Sequence, residues 1–144
     1  MGKIKVTKNA VPNLIKQKMN TKLNILIVDD DPYSLILLKE YLNSLNAEIY
    51  TATNGKKAVE ICKNQMIDLI LTDILMPGMN GIDTIKSIRK NNKDVKIIVQ
   101  TGFASKEKTD EIISTGADAF ILKPYSKNEL LYVISEIFKL YKIK

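Results

Sequence analysis

The stretch LILTDILMPGMNG, residues 69–81, decides the fold. Its first residues are apolar almost throughout, which marks a strand covered on both faces rather than one with a wet side. The run stops on a single carboxylate, Asp73. Pro77, Gly78 and Gly81 then supply turn chemistry before a helical pattern begins at Ile82. The same alternation repeats on both sides of this stretch. Strand patterns read at 23–28 (LNILIV), 47–53 (AEIYTAT), 68–72 (DLILT), 96–100 (KIIVQ) and 119–122 (AFIL). Helical patterns read at 32–45, 56–64, 82–91, 106–116 and 126–141. Leu35, Leu38, Leu42 and Leu45 share one helical face, Gly116 marks a helix stop, and Ser126 with Glu129 forms a capping box. Five buried strands alternating with five helices predict an α/β fold. It is a doubly wound, five-stranded parallel sheet of order 2-1-3-4-5, flanked by helices on both faces and flavodoxin-like.

The chain has 144 residues, 45% hydrophobic and 26% charged, which suits one globular domain. No apolar run is long enough for a membrane span, and the N-terminus carries no secretory h-region, so a cytoplasmic location is expected. There is no histidine and one cysteine, Cys62, which reads as a small core residue. Histidine-based triads, histidine or cysteine metal clusters and internal disulfides are therefore excluded within this sequence. The net charge of +6 belongs to residues 1–22, whose six lysines face no acid. Of 22 basic and 16 acidic residues, the remaining 16 basic and 16 acidic side chains of 23–144 balance. We divide the chain into a basic leader or linker, 1–22, and a domain, 23–144. The neutral domain gives no support for direct nucleic-acid binding.

Ligands of open parallel sheets bind beyond the carboxyl ends of the strands. The first strand delivers Asp29, Asp30 and Asp31 there, the third Asp73, the fourth Thr101 and the fifth Lys123 followed by Pro124. Asp31 before Pro32 is read as a helix N-cap. Two carboxylates about 4 Å apart repel by about 4 kcal/mol at an effective dielectric near 20, so the cluster needs a counter-charge. Lys123 gives one. An all-oxygen site without histidine or thiolate suits a hard divalent ion, Mg²⁺ or Mn²⁺, with Ca²⁺ also compatible. Metal, hydroxyl and ammonium together suit a phosphoryl group, and a carboxylate nucleophile would form an aspartyl phosphate. Asp73, alone at the sheet centre, is the candidate acceptor.

The motifs ILIVDDD, DLILTDILMPGMNG, IIVQTG and AFILKP, in this order and spacing, resemble the receiver domain of two-component response regulators, from about Asn24 to Lys139. The resemblance implies that Asp73 is phosphorylated in a magnesium-dependent reaction by a sensor histidine kinase or phosphotransfer protein. Asp29, Asp30 and Asp73 would be metal residues, with the backbone carbonyl of Leu75 as a further ligand. Thr101 and Lys123 would contact the phosphoryl oxygens. The Lys123–Pro124 bond would be cis, and Thr101 with Phe120 would form the switch. The output face would be 106–141, read by a downstream effector protein or domain, with a homodimer through that face as another arrangement. Such a domain assists its own phosphorylation and dephosphorylation and is not a conventional enzyme. It is equally compatible with a stand-alone regulator and with the receiver module of a hybrid sensor histidine kinase.

Two departures stand out. Leu75 and Phe103 occupy the positions that flank the route of the hydrolytic water in receivers, and neither can orient a water by hydrogen bonding. Slow self-dephosphorylation is the expectation. Two other readings compete for these residues, the first of the same topology. A flavodoxin-like cofactor-binding module would need a phosphate-cradling loop where three aspartates stand. A Mg²⁺-dependent aspartyl-phosphate phosphatase would want an acid/base carboxylate where Leu75 stands. Met76 and Met79 read as loop and core filler.

Overall fold

The computed structural model describes residues 22–74, 76, 78, 80–102 and 105–138. Five strands, β1 (Leu23–Val28), β2 (Ala47–Ala52), β3 (Leu69–Asp73), β4 (Lys96–Thr101) and β5 (Ala119–Leu122), form one sheet of order β2-β1-β3-β4-β5. All four ladders are parallel. The helices are α1 (Pro32–Leu42), α2 (Gly55–Asn64), α3 (Gly81–Asn91), α4 (Lys106–Ser114) and α5 (Lys127–Ile137). Fold class and strand order are those expected from the sequence.

The pleat of each strand sends successive side chains to opposite faces of the sheet, and each face has its own core. On one face Ile25, Ile27, Leu69, Leu71, Ile98 and Ile121 meet Leu38 and Leu42 of α1 and Leu130, Leu131 and Ile134 of α5. On the other, Leu26, Val28, Ile70, Ile97 and Val99 meet Ala58 of α2, Ile85 and Ile88 of α3 and Ile112 of α4. Each fully buried Leu or Ile contributes about 1.5–3 kcal/mol, so the central strands β1, β3 and β4 anchor the sheet. β4 divides its residues between the layers: Ile98 belongs to the first core, Ile97 and Val99 to the second.

Local chemistry sets the helix starts. Asp31 caps α1, its Oδ1 accepting from the Tyr33 N–H at 3.0 Å, with Pro32 inside the first turn. Ser126 caps α5 by accepting from the Glu129 N–H at 3.1 Å. Asn54 and Asn80 do the same for α2 and α3. Several helix ends differ from the sequence expectation. α1 stops at Leu42 rather than residue 45. Leu45 still reaches the core through a turn held by its N–H to the Leu42 carbonyl at 3.0 Å, so the apolar spacing outlasts the helix. α4 ends at Ser114, and the following turn places Gly116 at φ 107°, a conformation that costs a side-chain-bearing residue strain. Residues 139–141 of the expected last helix, and 1–21 of the leader, lie outside the described residues. Among the described residues no helix is long and apolar enough to cross a membrane.

Candidate functional site

The carboxyl ends of β1 and β3 lie side by side because Val28 pairs with Thr72. The next residue of each chain is therefore an aspartate. One carboxylate oxygen from each of Asp29, Asp30 and Asp73 lies within 4.8 Å of the others. At that separation the Asp29–Asp73 repulsion is about 3 kcal/mol at an effective dielectric near 20. Asp29 is 1% exposed. Its Oδ1 accepts from the Asp31 N–H at 2.9 Å, whereas Oδ2 is buried with no hydrogen-bond partner. Burial pushes the Asp29 carboxyl above its ordinary pKa. The Asp31 N–H and the Lys123 ammonium oppose that shift, and the Asp73 and Asp30 charges add to it.

The balancing cation arrives from β5. Lys123 follows the last residue of that strand, and its N–H bonds to the Thr101 carbonyl at 2.9 Å. Its Nζ donates to Asp73 Oδ2 at 2.9 Å and sits 3.7 Å from Asp29 Oδ2, a charge contact too long for a hydrogen bond. Burial alone would lower the lysine pKa. The hydrogen bond and charge of Asp73, with the charge of Asp29, outweigh it, and the net shift is upward. One ammonium thus faces three carboxylates. The Ile74 N–H donates to Asp73 Oδ1 at 2.7 Å and fixes the orientation of that carboxylate.

The turn after Asp73 is held as tightly as its composition suggests. The Gly81 N–H bonds to the Ile74 carbonyl at 2.9 Å. A Cβ at Gly81 would lie 2.5 Å from the Asp73 carbonyl oxygen, so only glycine lets α3 begin this close to the site. Thr101 ends β4 and is 1% exposed. Phe120 pairs with Val99, which places it on the same sheet face as Thr101, half-buried against the second core. The Lys123–Pro124 peptide bond is cis. Leu75 and Phe103 lie outside the described residues.

Asp29, Asp30, Asp73 and Lys123 therefore share one neighbourhood at the strand ends, with Thr101 bonded through its carbonyl to the Lys123 N–H. The site suits a hard cation. An orphaned buried carboxylate oxygen and a cluster of three carboxylates both call for one, and among the described residues no histidine or cysteine joins the cluster. Sequence reasoning missed two polar contributors. Gln100, in the strand pattern 96–100, and Tyr125, just before the helical pattern at 126, are joined by a hydrogen bond from the tyrosine hydroxyl to the glutamine side-chain carbonyl. Nothing in local sequence pairs residues 25 positions apart.

The model of the response regulator receiver domain matches residues 25–135. The chain is 37% identical over 116 residues to the chemotaxis protein CheY of Thermotoga maritima, covering 80% of this chain and 97% of that one. Of other curated relatives it spans a smaller share, 26% to 52% of their length. Among solved structures it is similar to a CheY-like receiver domain protein from Methanospirillum hungatei, with TM-score 0.77 and 32% identity, covering 83% of this chain and 97% of that one. It is also similar to a chain in the complex of the Saccharomyces cerevisiae histidine phosphotransfer protein Ypd1 with the receiver domain of Ssk1, with TM-score 0.75 and 28% identity, covering 80% and 88%.

Proposed function

The chain belongs to the response regulator receiver domain family, and from that premise we propose that Asp73 is its phosphoacceptor, charged by a phosphohistidine on a sensor kinase or phosphotransfer protein. The observation that carries the assignment is the convergence of three carboxylates on one lysine, with Lys123 Nζ 2.9 Å from Asp73 Oδ2. In the transfer, an Asp73 carboxylate oxygen forms a bond to phosphorus as the phosphorus–nitrogen bond of the donor breaks. The freed imidazole leaves with the electron pair and takes a proton from solvent. Lys123 stays bound beside the acceptor and offsets charge on the phosphoryl oxygens, and the Thr101 hydroxyl is the candidate donor to one of them.

Asp29, Asp30 and Asp73 would hold Mg²⁺, or Mn²⁺ in its place, and the Leu75 carbonyl is a further candidate ligand from sequence alone. When bound, the ion neutralises the crowded carboxylates and the incoming phosphoryl group. Thr101 and Phe120, on one sheet face, would then shift the 106–141 surface between two states whose balance an effector or a second copy reads. Residues 1–22 serve as a linker or arm outside this switch, and the cytoplasm is the compartment that suits such a phosphodonor.

Incubation with acetyl phosphate and Mg²⁺ followed by intact-mass measurement tests the assignment. Wild type is expected to gain one phosphoryl group and Asp73→Ala none. An adduct of equal yield on Asp73→Ala would overturn it.

A further inference from the structure

We propose that Gln100 and Tyr125 are positioning residues of the phosphoacceptor site: their hydrogen bond clamps the β5–α5 connection to the tip of β4 and so holds the Lys123 ammonium against Asp73. The inference rests on the reading of Asp73 as acceptor and adds two residues that act through Lys123.

The register places both ends of the clamp. Asp73 pairs with Gln100 in the β3–β4 ladder, and Thr101 pairs with Leu122 in the β4–β5 ladder. Asp73 and Gln100 thus leave adjacent strands on one sheet face, the face of Leu71 and Ile98. Lys123 follows Leu122, and its ammonium crosses the tip of β4 to reach Asp73 on β3. The lysine stem is long and flexible, and the side chain is 35% exposed, so close packing does not fix it. Its placement depends on where its backbone is held. One hold is the Lys123 N–H on the Thr101 carbonyl at 2.9 Å. Alone, that bond would let the connection pivot. The second hold comes two residues farther on, where the Tyr125 hydroxyl donates to Gln100 Oε1. Two holds on consecutive residues of β4 fix both the position and the direction of the segment that carries the lysine.

The clamp is itself braced. Gln100 is 2% exposed, a polar side chain on the core face of an interior strand. An amide buried there is unfavourable unless it is bonded, and Tyr125 bonds its carbonyl. The Tyr125 ring meets the Tyr41 ring edge to face, with centroids 6.2 Å apart, and the Tyr41 hydroxyl donates to the Tyr125 carbonyl at 3.3 Å. α1 therefore supports the tyrosine from its far side. Burial, the neighbouring Tyr41 and the Asp29 and Asp73 charges all push the pKa of the Tyr125 hydroxyl up, so it keeps the proton it donates. An apolar pair could fill the same space, but it would not tie the connection to the strand tip.

The test uses the whole chain and two variants. Tyr125→Phe removes the hydroxyl and keeps the ring against Tyr41, and Gln100→Met removes the acceptor at similar volume. The order parameter of the Lys123 side chain, from ¹³Cε relaxation, is expected to fall in both. Phosphorylation by acetyl phosphate with Mg²⁺, timed by intact mass, should slow about three- to tenfold, the worth of one hydrogen bond. The double variant should be no slower than either single one, because the same bond is lost in each. On a Lys123→Met background Tyr125→Phe should slow the reaction no further, which separates a hold on the lysine from a general loss of stability. The proposal is overturned if Lys123 is as ordered in Tyr125→Phe as in wild type, if that variant reacts within twofold of wild type, or if it slows both backgrounds equally. The order parameter involves no phosphate, so a phosphoryl group found elsewhere than on Asp73 would remove the acceptor reading and leave the clamp to be judged on the lysine.

Discussion

The two ends of the sheet use the same residue types to opposite effect. At the amino end Arg89 of α3 meets Asp118 before β5, with Nη2 to Oδ2 at 3.0 Å. Arg89 also donates to the Gly116 carbonyl from Nε at 3.0 Å and Nη2 at 2.8 Å, and from Nη1 to the Val95 carbonyl at 2.6 Å. Asp118 Oδ2 in turn accepts from the Ile97 N–H at 2.8 Å. Charge is balanced and donors are matched. At the carboxyl end three carboxylates share one lysine and a buried oxygen has no donor. A matched network holds parts together, whereas an unmatched one holds a place for something that binds there.

The contrast breaks first at Lys123. Lys123→Met removes the only ammonium placed against the acceptor among the described residues. Loss of one such electrostatic group costs about 10²–10³ in rate, so phosphorylation by acetyl phosphate, timed by intact mass, should slow by that factor. A rate within threefold of wild type would mean that the lysine balances the resting cluster only.

Arg89→Met should do the reverse. Stability measured by urea unfolding is expected to fall by about 2–3 kcal/mol, because Asp118 and the carbonyls of Gly116, Val95 and Asn92 lose a charged donor. The phosphorylation rate of the folded fraction should stay within twofold. A large rate loss would show the two ends to be coupled.

Asp29→Asn sharpens the comparison at smaller scale. Removing a buried charge from the deficit should raise metal-free stability by about 1–2 kcal/mol while erasing most of the Mg²⁺-dependent stabilisation expected of wild type, read from thermal unfolding with and without the ion. Unchanged Mg²⁺ stabilisation would remove Asp29 from the metal set.

The smallest effect is expected at Leu75 and Phe103, the two departures noted in the sequence. Leu75→Asn with Phe103→Glu offers a water one new hydrogen bond, worth about tenfold in the decay of the phosphorylated form. Unchanged decay would count against slow loss being set by those two side chains.

The sequence reveals the carboxyl end far better than the amino end. Asp29, Asp30, Asp73, Thr101 and Lys123 each stand at the tip of an apolar run, and the topology alone brings strand tips together. The parallel sheet follows from burial on both faces, and the order from the doubly wound alternation of strands and helices. Arg89 carries no comparable signal. It sits in the last turn of an amphipathic helix, where a basic residue is ordinary, and its partners come from the turns before β4 and β5. The Gln100–Tyr125 pair was hidden for the same reason. Helix ends were misread where an apolar residue such as Leu45 keeps its spacing but reaches the core from a turn.

The division of β4 between two cores has a mechanical consequence. Gln100 and Thr101 are neighbours in the chain, yet one faces the α1–α5 layer and the other the α2–α4 layer. A displacement of this strand tip cannot stay on one side of the sheet. The backbone at residues 100 and 101 therefore answers to both layers at once, and a substitution that repacks either core is felt in the other.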